Sequence, residues 1–225
     1  YPVKNGKAGE SIVSIGGKGV YPFTLEIPDD VYREFLKDVA TKIVCQSFNL
    51  QMAEKHRHVD PAQQYEPLMI DVDMDLAEDL DVESYTMASG HLWSNETLTD
   101  LVSLCSTKIF DVVRFSDGHT LCIVTTKSRI YQKKGKWHDG FHLHFPRVYV
   151  ALPVRRLLLF QIKEAAGGIF MSPDCEHLVQ SDDIVDINPG LGTPQMLYGC
   201  SKAETNDSYK VYCKYTMSAA GVALV

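Results

Sequence analysis

The sequence is most informative at Leu68-Met69-Ile70-Asp71-Val72-Asp73-Met74-Asp75, where a short apolar run leads into alternating acids. The apolar residues predict a buried strand. Side chains two apart on a strand point to the same face, so Asp71 and Asp73 direct their carboxylates to one region. Like charges in this arrangement repel each other unless a cation lies between them. The stretch therefore predicts a divalent-metal site at the end of a strand.

Besides a metal site at a strand end, these acids allow two other interpretations, an EF-hand loop and a solvated acidic loop. An EF-hand loop starting at Asp71 needs Gly at its sixth position and Glu at its twelfth, where this sequence has Leu76 and Val82, so that motif is excluded. A solvated acidic loop stays open, because residues 71–83 hold seven acids and no base. Asp75 is either a third ligand or the first residue of such a loop.

Helices and strands alternate on both sides of this strand. The patterns predict helices at about 30–50, 95–109 and 154–166, and strands at 11–15, 68–70, 121–126, 141–145 and 209–215. Pro153 and Gly167 bracket the third helix, with Pro at its start and Gly past its end. The fold class is therefore α/β (α+β). No Gly-, Pro- or Ser-rich linker divides the chain, so residues 1–225 are expected to form a single domain.

Two histidines lie in Asp139-Gly140-Phe141-His142-Leu143-His144-Phe145-Pro146. They alternate on one predicted strand and share a face, so they could bind a metal or contact phosphate. A His–hydrophobic–His pair also occurs in rolling-circle initiator endonucleases, which use both histidines as metal ligands and a helical Tyr as the nucleophile. Tyr32 is the candidate nucleophile in that alternative, and the Asp71/Asp73 pair would then have no role.

A third group of polar residues lies near the C-terminal end. Asp186 closes another apolar strand, and Gly199-Cys200-Ser201-Lys202 follows a turn and a short strand. Gly allows close backbone approach, Ser201 offers a hydroxyl and Lys202 offers a point charge for phosphate. The segment is not a Walker loop, and a purely structural turn is an open alternative.

Charge is distributed unevenly along the chain. The net charge is −7, which argues against indiscriminate binding to polyanions, yet residues 127–163 carry nine bases and one acid and so contribute +8. Such a window is either a solvated loop or a surface for a charged partner. The residues of this window that could contact an anionic partner, such as a nucleic-acid backbone, are Lys127, Arg129, Lys133, Lys134, Lys136, Arg155 and Arg156.

A non-catalytic single-strand DNA-binding module is a further alternative. It would combine the basic window with Tyr209, Tyr212 and Tyr215 as stacking platforms, although an ordinary half-exposed strand accounts for the same tyrosines.

The cysteines and the hydropathy exclude several classes of protein. Six cysteines without a C-x-x-C pair indicate scattered reduced thiols. A zinc site built from Cys175, His177, Cys200 and Cys213 has no familiar spacing, so zinc is not expected. No apolar run approaches the roughly 18–20 residues of a membrane span, and no secretory signal is visible, so we expect an intracellular protein without a membrane partner.

Taken together, the three groups resemble the motifs of archaeo-eukaryotic-type primases in their chain order. Residues 68–73 look like the hydrophobic-Asp-x-Asp first motif, and residues 140–146 look like the second motif of primase–helicases of nucleocytoplasmic large DNA viruses. Asp186 followed by residues 196–202 looks like the third motif of that group and its trailing segment, with Cys200 in place of the commoner Ser. Residues 1–60 add almost nothing to the resemblance.

The resemblance implies a fold, a reaction and roles for residues. The fold would be an RNA-recognition-motif-like catalytic sheet packed with an N-terminal α/β unit, in a fragment of a longer chain with a C-terminal helicase domain. The reaction would be template-directed primer synthesis from nucleoside triphosphates on single-stranded DNA, at sites of viral DNA replication.

The implied metal ligands are Asp71, Asp73 and Asp186, holding two Mg²⁺ or Mn²⁺ ions, so Asp186 should lie beside the first two and the three carboxyl groups should converge. His142 would contact the triphosphate, with Ser201 and Lys202 as further contacts. His144 would be an alternative contact or a packing residue.

Overall fold

The computed structural model describes residues 12–14, 24–25, 29–46, 52–54, 65–78, 80–87, 89–179, 184–188, 195–196 and 207–225. The chain divides into two compact units. The first comprises residues 1–64 and 192–210, and the second comprises residues 65–191 and 211–225.

The strands, in chain order, are β1 (Ile12–Ser14), β2 (Thr24–Leu25), β3 (Met52–Glu54), β4 (Tyr65–Asp75), β5 (His119–Thr126), β6 (Tyr131–Lys133), β7 (Lys136–Ala151), β8 (Val185–Asp186), β9 (Gln195–Met196), β10 (Lys210–Ser218) and β11 (Gly221–Leu224). The helices are α1 (Asp29–Gln46), α2 (Val82–Tyr85), α3 (Asn95–Val112) and α4 (Leu152–Phe170), and a 3-10 turn spans Pro173–Cys175.

The first unit contains α1 and a small four-stranded sheet. The strand order of that sheet is β2-β1-β3-β9, and its neighbouring strands run antiparallel. Helix α1 begins at two acids, Asp29 and Asp30, which favour a helix N-terminus because they complement its dipole. The predicted helix at about 30–50 is confirmed, with its end at Gln46.

The second unit is built on a seven-stranded sheet with the order β11-β10-β5-β7-β4-β8, and β6 pairs with β7 beside this path. Strand β4 is antiparallel to both β7 and β8, and β5 is antiparallel to β7. Strands β4 and β5 are therefore parallel to each other with β7 between them, and α3 connects them. In the same way α4 connects β7 to β8 across β4, so two β-α-β units interlock. The predicted α+β class is confirmed.

One face of this sheet is apolar and carries the two long helices. Leu68, Ile70, Val72 and Met74 of β4 point to this face and are almost completely buried, in one cluster with residues of α3 and α4. Burial of four such side chains contributes roughly 6–12 kcal/mol to folding. Strand alternation then turns Asp71, Asp73 and Asp75 to the opposite, polar face.

Both helices begin where the sequence gives a start signal. The Ser94 hydroxyl caps α3 by accepting a hydrogen bond from the amide of Thr97 at 3.0 Å. Helix α4 has Pro153 in its first turn, as predicted, but it continues through Gly167 to Phe170. Ile162 and Phe170 are buried on the same side of α4, so core packing outweighs the low helix propensity of two glycines.

Strand β7 is much longer than the predicted strand at 141–145. It runs for 16 residues and includes Asp139 and Gly140, which lie before the predicted strand. The Asp139 carboxylate is buried, accepts hydrogen bonds from the amides of Leu92 at 2.7 Å and Gly140 at 2.8 Å, and lies 3.2 Å from His91 Nδ1. These partners, two of them nearly 50 residues away, allow a carboxylate to lie inside a strand.

Candidate active site

The polar face of the second unit brings three acids of β4 opposite β7. In the antiparallel register, Asp71 pairs with His142, Asp73 with Gly140 and Asp75 with His138. Residues directly opposite each other on antiparallel strands have Cβ atoms about 4.5–5.5 Å apart and share a face. The face therefore presents a row of carboxylates next to a row of imidazoles, with a gap at Gly140.

Asp71 lies at the centre of this arrangement. It pairs with His142 on one side and with Asp186 of β8 on the other. The Nε2 atom of His142 is 3.2 Å from Oδ1 of Asp71, but the pair is not aligned as a hydrogen bond. Oδ1 is buried, and no hydrogen-bond partner for it exists in the described part of the chain. A buried carboxylate oxygen in this state is suited to a cation.

The three predicted metal ligands differ in how fixed they are. Asp186 is ordered by its own turn, because its Oδ1 accepts hydrogen bonds from the amide and side-chain nitrogen of Asn188 at 2.8 and 2.7 Å. Asp73 is exposed, and its amide donates to the carbonyl of Ile184 at 2.9 Å, which joins β4 to the start of β8. The structure thus places Asp186 beside Asp71, with Asp73 one pleat further along the same face.

The expected convergence of all three carboxyl groups is not observed. Within the described ranges, no group of three or more His, Cys, Asp or Glu side chains is arranged to hold a metal ion. Mg²⁺ usually keeps several waters and binds through one or two carboxylates together with substrate phosphates, so a closed protein cage is not required for this ion. The donor set of hard carboxylate oxygens, with one buried oxygen lacking a hydrogen bond, fits Mg²⁺ or Mn²⁺.

His144 has the character of a packing residue. Its Nε2 atom is 3.0 Å from the Thr125 hydroxyl on β5, and its ring lies edge-on to that of His142 with centroids 5.8 Å apart. Burial lowers the pKa of His144 to about 4, and the neighbouring His142 contributes to the decrease. The imidazole is therefore neutral at physiological pH and offers no positive charge to a phosphate.

His138 was not predicted from the sequence as part of the site. It shares the face of His142 and His144, pairs through Nδ1 with the Asp75 carboxylate, and lies with Nε2 3.1 Å from the carbonyl of Lys133. Asp75 is therefore held by an imidazole. The signal was present as a third histidine in the same alternation, but the strand was predicted to begin only at Phe141.

Gly140 is required where β7 passes Asp73. A Cβ atom on Gly140 would lie 2.2 Å from the carbonyl oxygen of Val72, far inside contact distance. The Gly140 carbonyl also accepts a hydrogen bond from the Thr126 hydroxyl at 2.8 Å. The glycine of the second motif thus keeps β4 and β7 close together.

The predicted DNA-binding residues fall into two groups. Arg129, Lys133, Lys134, Lys136 and Arg156 are exposed, and three of these lie in or next to the β6–β7 hairpin. Lys136 forms a surface ion pair with Glu78 at 2.7 Å, which raises the pKa of Lys136.

Two residues in that prediction do not lie at the surface. Arg155 is fully buried in α4, and Lys127 is only 7% exposed, with its ammonium 3.5 Å from the ring centroid of Tyr131. The spacing of Lys and Arg residues in the sequence does not show which of them are buried, because the packing that buries each of them comes from other elements.

Other predicted residues lie outside the description or in ordinary packing. Ser201, Lys202 and Cys200 lie outside the described residues, as does the side chain of Tyr32. Tyr215 is buried, whereas Tyr212 packs edge-on against Trp93 and is still exposed to solvent. Cys175 and Cys213 are free thiols, and burial raises the pKa of Cys213 to about 11.

The sequence pattern of a known family covers most of this chain. The family described as "C962R protein N-terminal AEP domain" matches residues 20–215, a range that contains the acid row, the histidines and Asp186. The chain belongs to this family of archaeo-eukaryotic primase domains.

Two curated viral proteins are also similar to this primase domain. It is 26% identical over 156 residues to "Putative helicase 121R" of Invertebrate iridescent virus 3, which covers 68% of this chain and 16% of that protein. It is 22% identical over 185 residues to "Putative helicase L207/L206" of Acanthamoeba polyphaga mimivirus, covering 82% and 18%. The chain thus spans less than a fifth of the length of these relatives. No helix in its described part is long and apolar enough to cross a bilayer.

Proposed function

We propose that this domain is the primase part of a viral primase–helicase and makes primers on single-stranded DNA by nucleotidyl transfer. The observation that carries the proposal is the pairing of Asp71 with both His142 and Asp186 on three neighbouring strands. Family membership supports the reaction class. The interlocked order β5-β7-β4-β8 supports an RNA-recognition-motif-like sheet, and residues 1–225 would act as one catalytic domain with the first unit as its N-terminal α/β part.

The reaction is attack of a 3′-hydroxyl on the α-phosphorus of a nucleoside triphosphate, with release of pyrophosphate. Asp71, Asp73 and Asp186 would hold the divalent ions. When bound, Mg²⁺ or Mn²⁺ would neutralise charge on the attacking and leaving oxygens. The protein contributes a sheet that fixes Asp71 and Asp186 before substrate arrives, which lowers the cost of reorganisation during the reaction.

His142 would bind the triphosphate of the incoming nucleotide. It is buried on the polar face beside Asp71, so a phosphate drawn to the ions at that carboxylate would come within reach of the imidazole. Ser201 and Lys202 remain proposed as additional phosphate contacts from the family resemblance, with His144 as a neutral residue that packs behind His142.

The template would follow the exposed basic residues. Lys133, Lys134 and Lys136 lie on the β6–β7 hairpin, and Arg129 and Arg156 are further exposed candidates. Contacts of Lys and Arg to phosphates release counterions, so binding would be strongly dependent on salt. The helicase names of the two relatives support a helicase domain elsewhere in the full-length chain and a place in viral DNA replication.

The decisive experiment is primer synthesis on single-stranded DNA with labelled nucleotides, with and without Mg²⁺ or Mn²⁺. Wild-type protein should form primers only with the metal, and Asp71→Asn should abolish nucleotide addition. Because the substitution removes one charge from a group of neighbouring carboxylates that repel each other, the variant should melt near the wild-type temperature. Asp111→Asn, an exposed acid on α3, is the matched control and should retain full activity.

The same assay separates the proposal from the alternatives. A covalent 5′-phosphotyrosine adduct on cleaved DNA, without primers, would indicate the endonuclease. Binding to single-stranded DNA that needs no metal and yields no product would indicate a non-catalytic module.

A further inference from the structure

Lys127, which is buried, forms a cation–aromatic pair with the half-buried Tyr131 on the polar face. The Lys127 ammonium lies 3.5 Å from the Tyr131 ring centroid, and only 7% of Lys127 is exposed. Lysine is almost never buried to this extent unless its charge has a specific use or partner. Neither residue belongs to the motifs that define the family resemblance.

The strand register places this pair next to the carboxylates. Thr125 of β5 pairs with His142 and Thr126, the last residue of β5, pairs with Phe141; Lys127 follows directly, and continuing this register would bring it level with Gly140, the partner of Asp73. Its contact with the ring of Tyr131, which pairs with His138, puts its ammonium on the polar face. Gly140 has no side chain to separate Lys127 from Asp73 in this row.

Tyr131 reaches the same region from β6. It pairs in register with His138 and stacks on it with centroids 5.7 Å apart, so its ring lies on the polar face. Burial raises the pKa of Tyr131 to about 12, and the negative charges of Asp73 and Asp71 add to the rise, which fits a phenol close to the acid row.

We propose that Lys127 binds the phosphates of the incoming nucleoside triphosphate and that Tyr131 is the positioning residue that fixes its ammonium beside Asp73. This inference rests on the proposed function and removes Lys127 from the template-binding residues. A long lysine side chain loses rotamer freedom when it binds, and packing on an aromatic ring restricts it before the ligand arrives. Without substrate, the neighbouring acids attract the Lys127 ammonium. When a triphosphate and its metal ions bind, the ions would neutralise these acids, and the phosphates would attract the ammonium instead.

The test measures nucleotide binding and DNA binding separately. ATP affinity is measured by calorimetry in Ca²⁺, and single-strand affinity is measured with a labelled oligo(dT). Lys127→Met keeps most of the apolar stem and removes the charge, and it should weaken ATP binding about tenfold or more. Its affinity for oligo(dT) should stay within about twofold of wild type. Lys133→Met makes the same change of charge on the exposed hairpin. It should weaken binding of oligo(dT) and leave ATP binding near that of wild type.

Tyr131 variants test the positioning role. Tyr131→Phe keeps the ring and should bind ATP like wild type, whereas Tyr131→Leu removes the ring and should reproduce much of the loss seen in Lys127→Met. Melting temperatures confirm that each variant is folded. Of the two Tyr131 variants, only Tyr131→Phe should bind ATP normally. This difference would indicate that the aromatic ring itself positions Lys127.

Three outcomes would overturn the inference. If wild type binds ATP and Lys127→Met binds it equally well, or loses DNA binding instead, Lys127 is not a nucleotide contact. If Tyr131→Leu binds ATP normally, Tyr131 does not position Lys127. If wild type itself fails to bind ATP with a divalent ion, the proposed function fails, and this inference fails with it.

Discussion

His142 holds its Nε2 atom 3.2 Å from Oδ1 of Asp71, across the boundary between β7 and β4. This contact brings His142 of the second sequence motif next to Asp71 of the first. Both side chains are largely buried, so the separation is set by the backbone register of the two strands rather than by flexible side chains. A ligand that binds at the carboxylate must therefore meet the imidazole as well.

The two histidines of the second motif should differ in importance. His142→Ala should strongly impair primer synthesis, mainly by raising the nucleotide KM, because a charge-assisted contact to phosphate is worth roughly 1.5–3 kcal/mol. His144→Ala should have a smaller effect, since His144 is bonded to Thr125 and neutral. Steady-state kinetics on both variants provide the comparison. Equal and complete loss in both, together with loss of bound metal, would favour the endonuclease instead.

Substitution of Gly140 should destabilise the second unit. Gly140→Ala forces a Cβ against the Val72 carbonyl, and relief of such overpacking costs about 1–3 kcal/mol. Gly168→Ala in α4 is the matched control, because nothing lies within 4 Å of its Cβ and Ala is favoured over Gly in helices by about 0.5–1 kcal/mol. Chemical denaturation should show opposite signs for the two variants. A neutral result for Gly140→Ala would show that the strands can separate without penalty.

Acid should destabilise the protein through His144. Its folded pKa is lowered to about 4 from 6.5, so the folded state disfavours its protonated form. The stabilisation is fully present above about pH 6.5 and is lost as the pH falls towards 4, by up to roughly 3 kcal/mol. His144→Gln should flatten the dependence of unfolding free energy on pH in this window. His119→Gln, the same substitution at an exposed histidine, is the matched control.

Reversal of charge on the β6–β7 hairpin should weaken template binding. Lys133→Glu combined with Lys134→Glu should lower single-strand affinity and reduce the slope of affinity against salt, since fewer counterions are released. Nucleotide affinity should barely change. Lys136 is left intact because Glu78 would then face a like charge. Lys108→Glu with Lys214→Glu makes the same change in net charge elsewhere, and an equal loss there would mean that the hairpin is not the template path.

The parts of the fold that depend on local pattern were predicted from the sequence. Helix α3 was recognised by its Ser94 cap and apolar face, and the start of α4 by Pro153. The buried strand before Asp71 was also correct, although β4 extends from Tyr65 to Asp75. Each of these signals lies within one element, where propensity and packing agree.

The parts that depend on distant partners were not predicted. Asp139 inside β7 depends on His91 and Leu92, and the burial of Arg155 and Lys127 depends on the elements packed around them. His138 was missed for the same reason, because it belongs to the polar face only if β7 continues through Asp139 and Gly140. The motif residues could be predicted from the sequence, but the sequence did not show which Lys and Arg side chains face solvent.

The pairing of Asp71 with Asp186 can form only late in the synthesis of the protein. A ribosome adds about 5–20 residues per second, so roughly 6–23 s separate the emergence of these two residues, which lie 115 positions apart. During that interval, once Ala151 has emerged, a nascent chain can pair β4 with β7, because all residues of both strands are then present. It cannot place Asp186 beside Asp71 until β8 has emerged after α4. The domain therefore acquires its paired carboxylates in one late step, and a translation product that stops before β8 lacks them.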